Sequence, residues 1–299
     1  MFKIIFVFAT LYIIQLNCEI VKLLSHNTLV LHRDHGYRKL PASPNLYTCS
    51  DTSKPHKTWE EKYKVFNFVV YKHDGHILPY RLYVPLIQGS GKKYPLVLFL
   101  HGAGERGTDN RKQLFRFNTP AFWEKYPCFI VAPQCPETSL GETNDENTWV
   151  KTPFSSNRHS MELSPTWPMA LSIQLLKEIV ATYPVDRSRI YVTGLSMGGF
   201  GTWEILQRCP VKQFAAAIPI CGGADLAFAP KFANIPLWVF HGGVDSTVLT
   251  QRSRDVVAAI RLAGGSPIYT EYPNVTHDCW TQTYQDMKVW DWLFAQRRK

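Results

Sequence analysis

A chain of 299 residues with 45% hydrophobic content is long enough to bury one sizeable core. Its net charge of +9 is scattered rather than gathered into a patch interleaved with aromatics, which excludes a nucleic-acid-binding reading and leaves a solvated basic surface. The one long apolar run is too short for a membrane span, and no comparable stretch follows it.

That run covers 4–16, broken only by Thr10 and Gln15, and is preceded by Lys3 and followed by Asn17-Cys18. One basic residue, a short apolar stretch and a small or polar exit predict a cleaved secretory signal over 1–18 and a secreted or lumenal protein. Gln15 and Asn17 are poor neighbours for a lipidated Cys18, which disfavours a lipoprotein. Residues 19–64 lack clean periodicity, carry Pro41, Pro44 and Pro55, and are expected to form an irregular extension packed on the main domain.

From 65 onward the pattern sharpens into a single domain, 65–299. Strand-like runs at 65–71 and 77–84 are joined by His73-Asp74-Gly75-His76, a hairpin signal. The continuous apolar stretch 96–100 has the composition of a parallel strand covered on both faces, and 129–132 is a second. Residues 134–165 form a long loop and a candidate lid or substrate wall. An amphipathic helix is predicted over 168–182, with Leu171, Leu175, Leu176 and Ile179 on one face. There follow the strand ending at Leu195, a helix to Arg208, strands at 214–220, 237–240 and 268–272, a helix over 253–263 and a final helix over 283–297. This alternation predicts an α/β fold with a mostly parallel central sheet flanked by helices.

The chemistry concentrates at Gly194-Leu195-Ser196-Met197-Gly198, where a β-branched and aromatic strand runs into Gly-x-Ser-x-Gly and a helix follows. A sharp strand-to-helix turn exposes a serine hydroxyl, and the flanking glycines relieve the crowding that such a turn creates. A serine nucleophile also needs a base, and the base needs an acid to fix its tautomer. Asp245, just past the strand Trp238-Val239-Phe240, and His277, after the next strand, supply these in the order expected. Asp225 is a competitor for the acid, while Asp278, adjacent to His277, is a poor orienter. The oxyanion needs two N–H donors, expected from Met197 and from Ala103 in the glycine-rich loop His101-Gly102-Ala103-Gly104. Trp149 and Trp280 are candidate substrate contacts, with core or lid packing as the alternative for each. The cysteines show no metal-ligand spacing, and the chemistry requires no metal or cofactor.

Six cysteines remain after the signal: Cys49, Cys128, Cys135, Cys209, Cys221 and Cys279. An even number in an oxidising compartment permits up to three disulfides, with Cys128–Cys135 and Cys209–Cys221 as possible local pairs and buried free thiols as the alternative. Asn274-Val275-Thr276 is a glycosylation sequon that abuts His277 and is expected to stay unmodified.

These motifs, Leu100 to Gly107, Val185 to Gly199, Pro219 to Gly223, and Phe240-His241-Gly242 with Asp245, together resemble the phospholipase/carboxylesterase-type α/β-hydrolases. The branch they most resemble is that labelled predicted peptidase, which overlaps the feruloyl-esterase-like and polyhydroxybutyrate-depolymerase-like enzymes. The resemblance implies an α/β-hydrolase fold and a Ser196–Asp245–His277 triad acting on small-molecule or polymer-linked esters. Cys279 stands where the family usually carries Ser, and Cys209 where Tyr is common. Peptidase action on small peptides and a non-catalytic hydrolase-fold binding protein are the competing readings.

Overall fold

The computed structural model describes residues 66–86, 91–114, 120–137 and 146–298, together with the backbone of three short strands at 29–31, 38–40 and 46–48. The expected signal segment 1–18 and Cys49 lie outside the described residues.

The first strands, β1 (Leu29–Leu31) and β2 (Arg38–Leu40), pair antiparallel. Next, β3 (Leu46–Thr48) pairs antiparallel with β4 (Phe66–His73) at the edge of the main sheet. The extension expected to be irregular therefore contributes an edge strand, three residues long and too short to register as periodicity. β5 (His76–Tyr83) returns from β4 through a two-residue turn in which Asp74 and Gly75 both take positive φ, as the Asp-Gly pair requires.

β6 (Tyr94–Leu100), β7 (Phe129–Pro133), β8 (Val185–Leu195), β9 (Ala216–Ile220), β10 (Trp238–Gly242) and β11 (Ile268–Tyr272) run parallel, and the full sheet has nine strands in the order β11-β10-β9-β8-β6-β7-β5-β4-β3. The expected α/β architecture is the one observed. All seven residues of β6 are buried because helices cover both faces.

Side-chain alternation divides the interior into two cores. Leu96, Leu98, Leu100, Phe129 and Val131 face one side. There they meet α2 (Trp167–Thr182), α3 (Met197–Arg208), α4 (Ala229–Phe232) and α5 (Gln251–Leu262) through residues such as Leu175, Trp203, Phe232 and Val256. Val97, Phe99, Ile130 and Ala132 face the other side. They pack on α1 (Pro120–Lys125), α6 (Trp280–Gln285) and α7 (Met287–Ala295) through Phe122, Tyr284, Trp290 and Leu293. The helix expected over 283–297 is in fact two. Asp286 leaves helical geometry, and its carboxylate accepts the Lys288 N–H at 2.9 Å, capping α7.

The two cores also decide the cysteine pairing. Cys128 lies in one core and Cys135 in the other, as do Cys221 and Cys209, so the sheet separates both local pairs. All five described cysteines are buried and unbridged.

Candidate active site

Because β6, β8, β9, β10 and β11 are parallel, their carboxyl ends share one edge of the sheet, where open α/β sheets bind ligands. Ser196 follows β8 immediately, with φ 53° and ψ −119°, a conformation that non-glycine residues seldom adopt. Its own N–H donates to the Ile220 carbonyl at 2.9 Å, and its carbonyl accepts from Phe200 N–H at 3.0 Å, so neighbouring elements hold the turn. A Cβ at Gly198 would run into the Leu100 carbonyl, which is why α3 can start so close to the end of β6.

The Ser196 hydroxyl lies 2.8 Å from His277 Nε2. On the other side of the ring, Nδ1 lies 2.7 Å from Asp245 Oδ2. Asp245 is fixed from several directions. Its Oδ1 accepts from Thr247 and Val248 N–H at 2.9 and 3.0 Å, and His241 Nε2 lies 3.3 Å from Oδ2. Burial alone pushes the Asp245 carboxyl up, but the hydrogen bonds from His241, His277 and the Val248 amide outweigh it and hold the group well below the usual carboxylate range. It is therefore anionic at any working pH, and an anion on Nδ1 fixes the tautomer that leaves Nε2 free to accept the serine proton.

The histidine loop is seated on the end of β10. A side chain at Gly242 would collide with the Val275 and Thr276 carbonyls, and Val244 N–H donates to Val275 at 3.1 Å. Trp280 meets the His277 ring edge-on, with centroids 5.0 Å apart. It is the one of the two candidate tryptophans that touches the His277 ring.

The other, Trp149, is fully buried. Its indole N–H instead donates to the His101 carbonyl at 2.9 Å, supporting the glycine-rich loop from the core side. His101 is buried as well: its Nε2 accepts from Cys135 N–H at 2.9 Å, which leaves the ring proton on Nδ1, 2.6 Å from the Gly102 carbonyl. Burial, with a smaller contribution from the Arg106 charge, lowers its pKa to about 3, so it is neutral. Ala103 then opens a short 3-10 turn, Ala103–Glu105, and Met197 opens α3. First-turn N–H groups have no partner within their own helix, so both expected donors are amides of this kind.

The competing residues have other tasks. Asp225 caps a turn through Ala227 N–H and accepts from Met161 N–H at 2.9 Å, tying the long loop to the end of β9. Asp278 bonds Thr281 at the start of α6. His241 is a structural histidine packed beside Asp245. It lies four residues before Asp245 on a buried strand, and its Nδ1 is 2.7 Å from Ser253 Oγ. Cys221, His241 and Asp245 cluster closely enough to suggest a cation site among the described residues. However, Asp245 and both His241 nitrogens are already engaged by protein groups.

The model of the family described as Phospholipase/Carboxylesterase matches residues 83–290. A poly(3-hydroxyalkanoate) depolymerase C of Paucimonas lemoignei is 33% identical over 130 residues, 43% of this chain and 28% of that protein. A protein of Oryza sativa subsp. japonica named "Probable carboxylesterase" is 22% identical over 221 residues, covering 69% of this chain and 80% of its own length. The crystal structure of a thermostable esterase superposes with a TM-score of 0.70 at 37% identity, over 80% of this chain and 64% of that one. The chain thus spans less than two thirds of both the depolymerase and the esterase.

Proposed function

Since this chain belongs to the phospholipase/carboxylesterase family of α/β-hydrolases, we propose that it is a carboxylic ester hydrolase working through an acyl-enzyme on Ser196. The observation that carries the reading is the continuous relay from Ser196 Oγ to His277 Nε2 at 2.8 Å and from His277 Nδ1 to the buried Asp245 carboxylate at 2.7 Å.

In this reading Ser196 Oγ attacks the ester carbonyl carbon as its proton passes to His277 Nε2. The carbonyl oxygen becomes an oxyanion held by the amides of Met197 and Ala103. Asp245 stabilises the imidazolium without taking its proton. Collapse of the tetrahedral intermediate expels the alcohol, protonated by His277, and leaves the acyl group on Ser196. Water, deprotonated by the same nitrogen, then attacks the acyl carbon, and the second collapse returns the carboxylic acid and free serine.

Trp280, packed edge-on against His277, is a candidate contact for the substrate. The esters are small or polymer-linked, and the protein acts after removal of residues 1–18 on export. No described helix is long and apolar enough to cross a membrane. The test is hydrolysis of p-nitrophenyl esters of graded acyl length. Wild type should turn them over, and Ser196→Ala should lose on the order of 10⁶ in kcat. A wild type with no activity on any ester sinks the reading.

A further inference from the structure

Two thiols that the proposed chemistry does not use lie beside the base. Cys221 follows β9, and Cys279 is two residues beyond His277. They are 58 positions apart in sequence, yet their sulfurs are 2.9 Å apart, both side chains fully buried. That is less than an ångström beyond the length of a disulfide bond, about 2.05 Å. The surroundings hold them together. Cys221 takes the strained φ of +49°, its N–H donates to the Phe240 carbonyl at 3.0 Å, and its Sγ lies 3.2 Å from the His277 carbonyl. The Cys279 N–H donates to that same carbonyl at 2.8 Å.

We propose that Cys221 and Cys279 form a redox-active pair that, oxidised, cross-links the histidine loop to the end of β9. The reaction is thiol–disulfide exchange with a low-molecular-weight disulfide. The two Cys S–H bonds and the S–S bond of the oxidant are lost, the Cys221–Cys279 bond forms, and two molecules of small thiol leave carrying the hydrogens. The bridge would fix the backbone on the carboxyl side of His277 to the strand beside the nucleophile. Burial pushes the Cys221 thiol well up from its usual value, so exchange with the folded protein is slow and the bridge forms during folding or local opening.

The test reads the bond itself and is independent of ester hydrolysis. The full-length protein, both as purified and after refolding from guanidinium chloride, is held in excess glutathione disulfide. It is then denatured, alkylated with N-ethylmaleimide without reductant and digested. The expected result is a linked peptide pair containing Cys221 and Cys279, lighter than the two reduced peptides by two hydrogens, in at least one preparation. N-ethylmaleimide or glutathione on both cysteines in both preparations overturns the proposal.

Thermal denaturation is the second measurement. Dithiothreitol should lower the midpoint of the oxidised wild type by on the order of 10 °C, as expected when a cross-link closing a loop of this length is removed. Cys279→Ser, which cannot form the bridge, should show no such response. An unmoved wild type, or a Cys279→Ser protein that responds equally, contradicts the pair.

Discussion

Acid should weaken this fold through His101, a buried side chain that makes no hydrogen bond to Ser196, His277 or Asp245. The side chain is fully buried, with Nε2 accepting from Cys135 N–H. Protonation would turn that acceptor into a donor facing another donor. The unfolded histidine takes up its proton near pH 6.5, whereas the folded one resists until about pH 3. Because the folded value is depressed, the stability tied to neutral His101 is complete above pH 6.5, declines as pH falls and levels off below about 3. Across the two and a half pH units from 6.5 to 4 the loss is about 3 kcal/mol, at roughly 1.4 kcal/mol per unit. For a domain of this size that lowers the thermal midpoint by on the order of 10 °C. Scanning calorimetry from pH 7 to 4 on wild type and His101→Gln measures it. Glutamine keeps an acceptor for Cys135 N–H but does not titrate. The variant should start less stable at pH 7 and lose about 3 kcal/mol less than wild type on the way to pH 4. Equal slopes in the two proteins would refute the assignment.

The acid assignment predicts that Asp245→Asn costs roughly 10⁴ in kcat, because an amide facing His277 Nδ1 favours the wrong tautomer. Asp225→Asn, which disturbs a turn and a loop contact, should change the rate far less. Steady-state ester kinetics compare them, and the reverse order would move the acid to the end of β9. Trp149→Phe removes the donor to the His101 carbonyl while keeping most of the ring, leaving a buried acceptor unpaired. It should destabilise by about 1–3 kcal/mol in urea unfolding, and a neutral effect would show that water replaces the indole.

What could be read from the residues beforehand was whatever is encoded locally. The turn at Ser196 is written in five adjacent residues, and the Asp-Gly hairpin at 74–75 in two. The continuous apolar run 96–100 announced a strand covered on both sides because burial on both faces leaves no polar alternation. The proximity of Asp245 and His277 to Ser196 is legible because parallel strands deliver their C-terminal loops to one edge, so chain order substitutes for distance. Features set by packing between distant segments escaped. Nothing near Trp149 says that its indole will meet a carbonyl 48 residues away, and a tryptophan in a long loop looks equally suited to a cleft. The proximity of Cys221 to Cys279 depends on how the loops after β9 and β11 fold back. The local pairs suggested by sequence spacing failed because strand alternation sends Cys128 and Cys135 to opposite faces. The break at Asp286 was missed because apolar residues on both sides continue the helical pattern, and only the cap interrupts it.

The proposed nucleophile is Ser196, activated by His277. Intact mass spectrometry after exposure to a fluorophosphonate tests this, since the reagent phosphonylates an activated serine without requiring a known substrate. The expected result is a single adduct, mapped after digestion to the peptide containing Ser196, absent in Ser196→Ala and formed far more slowly in Asp245→Asn. No adduct on the wild-type protein, or one on another residue that persists in Ser196→Ala, would contradict it.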